Sequence, residues 1–390
     1  MQASAAFDYF APCPRGLEAE LARELTDLGA AAVQPGAGGV ACTGDLELGW
    51  RVNLWSRLAV RVLLRVDGGR YRHEDDLYAA AHALAWPEWF DPRRTLAVST
   101  VARACPLRSL NYVTLRIKDA VCDRFRAACG VRPSVHTRAP EVPLVLYLER
   151  DRYALYIDLT GEPLNRRGYR VRAAAAPLNE NLAAGVLRLA GWQPGEPLLD
   201  PMMGGGTLLL EATLMALDIA PGLRRRFAFE HLACFDAPRW QALREQAQAR
   251  ARPPVHLPIF GADLDPAMVE AARANLRAAG LEKCVQLKQA DVLTLDPPAA
   301  HGVLVSNPPY GVRLPRQAPE AFYRALGDAL KRRFAGWSAW LLSADPLLPK
   351  TIGLRAQRRI PLYNGPLACR LYGYPIVVGP LRAPASGKMP

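Results

Sequence analysis

Residues 306–310 (SNPPY, within SNPPYGVRL) follow directly on the apolar run HGVLV. Two consecutive prolines end a strand, because neither donates to a ladder and each fixes φ near −65°. This stretch is therefore expected to form a rigid rim at a strand's C-terminal end, where open α/β sheets bind ligands. Upstream, EPLLDPMMGGGTLLLEATLMA reads as strand, tight turn and helix. Gly204, Gly205 and Gly206 remove side chains there, so backbone amides approach a ligand closely. Neither the dinucleotide fingerprint nor the P-loop is present, because position 209 is Leu and no Lys follows the glycines. Alone, such a turn is as much structural as functional.

The stretches that follow narrow the chemistry. PIFGADLDPAMVEAARANLRAAG is a strand ending in acid and then a helix, with Asp265 as N-cap and Pro266 in the first turn. Asp263 is placed to accept hydrogen bonds from ribose hydroxyls. A third strand, CVQLKQADV, ends in Asp291, within reach of an adenine amino group. The fourth carries SNPPY. Three strands ending in an acceptor, ahead of that rim, point to one nucleoside ligand lying across their ends.

These residues need a parallel sheet to hold them, and from about residue 179 the pattern alternates strand and helix as such a sheet requires. The first 160 residues have a different, α+β texture. Leu17, Leu21, Leu25 and Leu28 share a helical face that Gly29 terminates, and LVLYLERDRYALYIDLTG reads as a hairpin turning at ERDR. Trp55 and Tyr112 are read as core residues. Between the two halves, Arg166, Arg167, Arg170 and Arg172 crowd an irregular basic stretch. The formal charge of +12 over 390 residues favours a polyanionic partner, most simply nucleic acid. Eight dispersed cysteines without a CxxC pair argue against structural zinc or a disulfide framework. No signal-peptide pattern or membrane-length apolar run occurs, so a cytoplasmic protein without metal or membrane partner is expected.

The order LLDPMMGGGT, FGADLDP, ADV, NPPY resembles the class I S-adenosylmethionine-dependent methyltransferases that modify exocyclic amino groups. More narrowly, FAPCPRGLEAEL, NLWSRLAVRVLL, NRRGYRVRAAAAPLNENLAAGVL, DIAPGL and LYNGPLACRLYGY resemble the bacterial THUMP-containing 23S rRNA guanine-N2 methyltransferases, over nearly the whole chain. Two positions depart from that family's first motif: Met203 and Gly205 stand where Cys and Ser are usual. The resemblance implies an α/β fold, with a C-terminal Rossmann-like methyltransferase domain behind an α+β region containing a THUMP domain. The implied boundaries are a ferredoxin-like part at 1–50, THUMP at 51–160, a basic linker at 161–178, the methyltransferase domain at 179–383 and a flexible tail at 384–390. The expected form is the stand-alone one, without the fused 7-methylguanosine methyltransferase domain.

S-adenosyl-L-methionine is the implied cofactor, held by Asp200, Met202, Gly204, Gly205, Gly206, Thr207, Asp263, Leu264, Asp291 and Val292. The implied substrate is 23S rRNA or a large-subunit assembly intermediate. Asn307, Pro308, Pro309 and Tyr310 would form the catalytic rim. The Asn307 and Pro308 carbonyl oxygens would draw on the amino hydrogens, and Tyr310 would stack on the base. Arg166, Arg167, Arg170, Arg172, Arg313, Asn364 and Arg370 are the expected RNA contacts. Competing readings are a tRNA guanine-N2 methyltransferase, a protein-glutamine methyltransferase and a non-catalytic assembly factor.

Overall fold

The structure, a computed structural model, describes residues 6–172, 178–309 and 319–377. Tyr310, Arg313 and the tail from 378 lie outside the described residues. The chain divides into two compact units, each built on a seven-stranded sheet. One gathers the residues up to Cys13 with 18–166 and 220–250. The other gathers 14–17, 167–219 and the chain from 251 onward. Segment 220–250, placed by the sequence in the C-terminal domain, is thus counted with the first unit. Its aromatic residues account for this: Phe229 stacks on Trp50 at 5.7 Å, and Trp240 meets Phe229 edge-on at 5.0 Å.

In the first unit, β1 (Phe7–Pro12), β2 (Ala31–Gly36), β3 (Gly39–Gly44), β4 (Leu63–Arg70), β5 (Leu96–Arg103), β6 (Val142–Glu149) and β7 (Arg152–Asp158) run in the order β2-β3-β1-β4-β7-β6-β5. The β6–β7 hairpin turns at ERDR, with Glu149 opposite Arg152 and Arg150 at φ +54°. Strand β6 alternates strictly between buried and half-buried residues, the mark of a sheet packed on one face. Helix Leu110–Cys129 packs against β5 and buries Val113, Ile117, Val121 and Phe125. Tyr112, on its other side, is 51% exposed, so it is a surface residue and not core. Leu21 and Leu25 are fully buried, and helix Glu18–Asp27 ends just ahead of Gly29 at φ +91°. Among the described residues no helix is long and apolar enough to cross a membrane.

In the second unit, β8 (Leu198–Asp200), β9 (Ile259–Asp263), β10 (Gln286–Gln289), β11 (Gly302–Ser306) and β12 (Trp337–Ser343) are parallel. The hairpin of β13 (Arg358–Asn364) and β14 (Leu367–Pro375) closes the sheet, with β14 antiparallel to β12. The order is β10-β9-β8-β11-β12-β14-β13. Strands are added outward from β8 to β10, then on the other side of β8 from β11 onward. The reversal opens a crevice at the C-terminal ends of β8 and β11, where doubly wound sheets take their ligands. Strand β11 is buried along its whole length, so Asn307 emerges from the middle of the core.

Candidate functional site

The glycine turn begins at Asp200, the last residue of β8. Gly204 and Gly206 adopt φ of +52° and +78°, which glycine takes without steric penalty. A Cβ on Gly206 would lie 3.0 Å from that of Ala272, so the turn is pressed against helix Pro266–Ala279. Met203 is buried, and its amide donates to the Ala262 carbonyl of β9 at 3.0 Å. Asp263 braces the turn: Oδ2 accepts from the Gly204 amide at 2.9 Å and Oδ1 from the Asp265 amide at 3.0 Å. Each oxygen keeps a second lone pair for a ligand hydroxyl.

Asn275, from the middle of helix Pro266–Ala279, holds the turn from behind. Its Nδ2 donates to the Gly205 carbonyl at 2.9 Å and to the Arg172 carbonyl at 3.1 Å. Its Oδ1 accepts from the Val171 and Arg172 amides, both at 3.0 Å. The amide's two donors and two acceptor sites are all used, and the side chain is buried. One residue therefore fastens the glycine turn to the end of the basic stretch.

These elements enclose a cavity of about 510 Å³. Asp200, Met202, Gly204, Gly205, Thr207, Asp263, Leu264, Asp291 and Val292 line it, together with Asn307 and Pro309. Cofactor and rim residues named from the sequence thus meet in one space. Gly206 and Pro308 are not on the lining; Gly206 lies against Ala272, and Pro308 is buried. Leu264 is 66% exposed beside Asp263, an apolar surface next to a carboxylate. Asp291 lies two residues beyond β10 and accepts from the Leu293 amide at 2.9 Å. The Asn307 amide has no hydrogen-bond partner among the described residues. Sequence reasoning missed Leu178, Met268, Asn275 and Phe322 on the lining. Asn275 carried a signal, a polar residue on the buried face of an amphipathic helix. Phe322 carried none.

Asp200 is the electrostatic anomaly of the site. Burial pushes its carboxyl up to about 7, against the Ser306 hydroxyl and Met202 amide that donate to Oδ1 at 2.7 and 3.2 Å. The folded protein retains a proton that the unfolded chain releases near pH 4. Raising pH from about 4 to 7 therefore costs stability through this group, and the full penalty stands above pH 7. Asp200→Asn, which cannot ionise, is expected to be more stable than the parent at pH 8 by a few kcal/mol, at about 1.4 kcal/mol per unit of pKa. The gap should close toward pH 4. Urea unfolding of both proteins across that range checks it, and a gap that does not change with pH would refute a buried neutral carboxyl.

The basic stretch does not behave as one group. Arg167 is not a surface RNA contact, a correction to the sequence reading: its side chain is 2% exposed and pairs with the fully buried Glu211 at 3.2 Å. Tyr169 donates to the same carboxylate at 2.9 Å. Arg170 also has structural duties, pairing with Glu180 at 3.0 Å and donating to the Leu178 carbonyl at 2.8 Å while lining the cavity. Arg166 is exposed and pairs with Glu162 at 3.3 Å. Arg172 is exposed at the cavity, Arg370 is exposed on β14, and Asn364 Oδ1 accepts from the Asn179 amide at 3.3 Å.

Residues 167–373 match the family described as RMKL-like, methyltransferase domain. The chain belongs to that family. Residues 8–63 match the RlmL ferredoxin-like domain and residues 71–158 the THUMP domain, in keeping with the resemblance drawn from the sequence. The chain is 40% identical over 392 residues to ribosomal RNA large subunit methyltransferase K/L of Aeromonas salmonicida, covering 95% of this chain and 54% of that protein. It thus spans about half the length of the K/L relatives it matches. It is also 40% identical to putative RNA methyltransferase slr0064 of Synechocystis, covering 94% of this chain and 96% of that one. Among solved structures, SMU.472, a putative methyltransferase complexed with SAH, superposes with a TM-score of 0.87 at 31% identity, over 97% of this chain and all of that one.

Proposed function

We propose that this protein transfers the methyl group of S-adenosylmethionine to the exocyclic N2 amino group of a guanine in 23S rRNA. One observation carries the reading. Asn307, whose amide has no partner among the described residues, and Pro309 open into the same cavity as Asp263, Leu264 and Asp291.

The donor set fits the cofactor. Asp263 offers carboxylate lone pairs to ribose hydroxyls, Leu264 an apolar face to adenine, and Asp291 an acceptor to the adenine amino group. Arg172, exposed at the same cavity, supplies a cation for an α-carboxylate. When bound, the cofactor supplies an electrophilic methyl group on a sulfonium. The protein's part is orientation and electrostatics. A ring-conjugated amino group is a poor nucleophile, because its lone pair is delocalised. Asn307 Oδ1 and the Pro308 carbonyl accept its two hydrogens, which draws the nitrogen toward sp³ geometry and frees the lone pair. A separate general base is unnecessary, because the nitrogen becomes acidic once methylated. The base must leave its stack to enter the cavity. The ferredoxin-like and THUMP regions hold the surrounding RNA, mostly through phosphate and shape contacts.

The test is mass spectrometry of nucleosides from 23S rRNA and from bulk tRNA, with and without the gene. Loss of one N2-methylguanosine from 23S rRNA, restored by the wild type but not by Asn307→Ala, is the expected result. Loss from tRNA would keep the chemistry and move the substrate. No change in either pool would overturn the proposal.

A further inference from the structure

The β13–β14 hairpin carries charge of one sign only. After Asp345 the sequence has no acidic residue, yet it has seven cations: Lys350, Arg355, Arg358, Arg359, Arg370, Arg382 and Lys388. The strand register sorts those of the hairpin by face. Arg359, Pro361 and Tyr363 alternate onto one face of β13, and Arg370 lies opposite Pro361 on the same face. A separate loop adds a further cation, with the Arg15 guanidinium 5.6 Å over the Tyr363 ring. This loop packs closely on β13, where a side chain at Gly16 would collide with the Pro361 carbonyl. Arg15, Arg359 and Arg370 are all exposed, and none forms an ion pair among the described residues. Some exposed arginines elsewhere are neutralised, as Arg93 is by Asp91 and Arg277 by Glu282.

Cations on an edge strand also guard against edge-to-edge aggregation. That explains Arg359 on β13, the outermost strand. It does not explain Arg370, on the interior strand β14, or Arg15, which comes from outside the sheet. The hairpin is, moreover, tied to the cavity rim. Asn364 at its tip accepts from the Asn179 amide, next to the lining residue Leu178. Arg370 lies level with Pro361, three residues from that tip, about 10 Å at the rise of a strand.

We propose that this face, with Arg15, Arg359 and Arg370 around Tyr363, binds the phosphodiester backbone of the substrate RNA beside the target nucleotide. The inference rests on the RNA methyltransferase reading above. The experiment compares the wild type with the triple variant Arg15→Gln, Arg359→Gln, Arg370→Gln for binding to an unmodified 23S rRNA transcript over a range of KCl. Each lost phosphate contact lowers the slope of log K against log salt by about 0.7–0.9, so a drop of roughly 2–3 is expected. Cofactor affinity by calorimetry should not change. A triple Lys variant should keep the wild-type slope. If the triple Gln variant aggregates, Arg370→Gln alone should lower the slope by about 1. A wild-type slope in the Gln variants would overturn the surface and leave the RNA reading standing. A wild type without salt-dependent RNA affinity would overturn both.

Discussion

Asn307→Ala is expected to slow methyl transfer in a single turnover by roughly a hundred- to a thousandfold, the usual cost of removing one preorganised polar group at a reacting centre. Cofactor affinity should stay within about threefold. The structure separates the two effects. Asn307 follows β11, whose last residue, Ser306, is locked to Asp200 at 2.7 Å. The strand end is thus held by backbone ladders and a buried hydroxyl, and Asn307 contributes no hydrogen bond to it among the described residues. Truncating the side chain removes an acceptor and leaves the scaffold. Rapid-quench kinetics beside calorimetry reads both quantities. A loss of cofactor affinity equal to the loss of rate would show that Asn307 holds the cofactor and not the amino group.

Glu211→Ala is expected to destabilise the second unit by about 3–5 kcal/mol, because it leaves the Arg167 guanidinium buried without its counter-charge. Tyr169 would lose its acceptor at the same time. In thermal melts this corresponds to a fall on the order of 10 °C for a unit of this size. Replacing both partners, Arg167→Met with Glu211→Leu, should recover most of the loss, because neither charge then has to be desolvated. An Arg167→Ala protein that melts like the wild type but binds RNA less tightly would reinstate the surface role read from the sequence.

The sheet and its ligand crevice were legible because each motif combined a local signal with a local cause. The glycines, the Asp265 cap with Pro266, and the double proline act within a few residues of themselves, and each lies where the pattern put it. The arginines between 166 and 172 were not legible in this way. Four like residues in one short stretch look equivalent, but their roles depend on Glu180 and Glu211, which reach them only through the packing of the helices that carry them. The packing of segment 220–250 with the first unit was hidden for the same reason, although residues 167–373 as a whole match the methyltransferase domain. That packing rests on the contact of Phe229 with Trp50, 179 residues earlier in the chain, a pairing no periodicity reveals. Phe322 reaches the cavity from a helix whose pattern reports only its core face, Tyr323, Leu326 and Leu330.

The Asn275 fastening bears on how the cofactor motif can be moved between proteins. A glycine turn of this kind is easily regarded as a portable cassette, complete in its ten or so residues. Here the carbonyl of Gly205 is held from 70 positions downstream, and the same side chain grips a backbone about a hundred positions upstream of itself. Residues 200–207 transplanted alone would carry the amides without what aims them. The smallest exchangeable piece runs from the basic stretch through the end of the helix that bears Asn275.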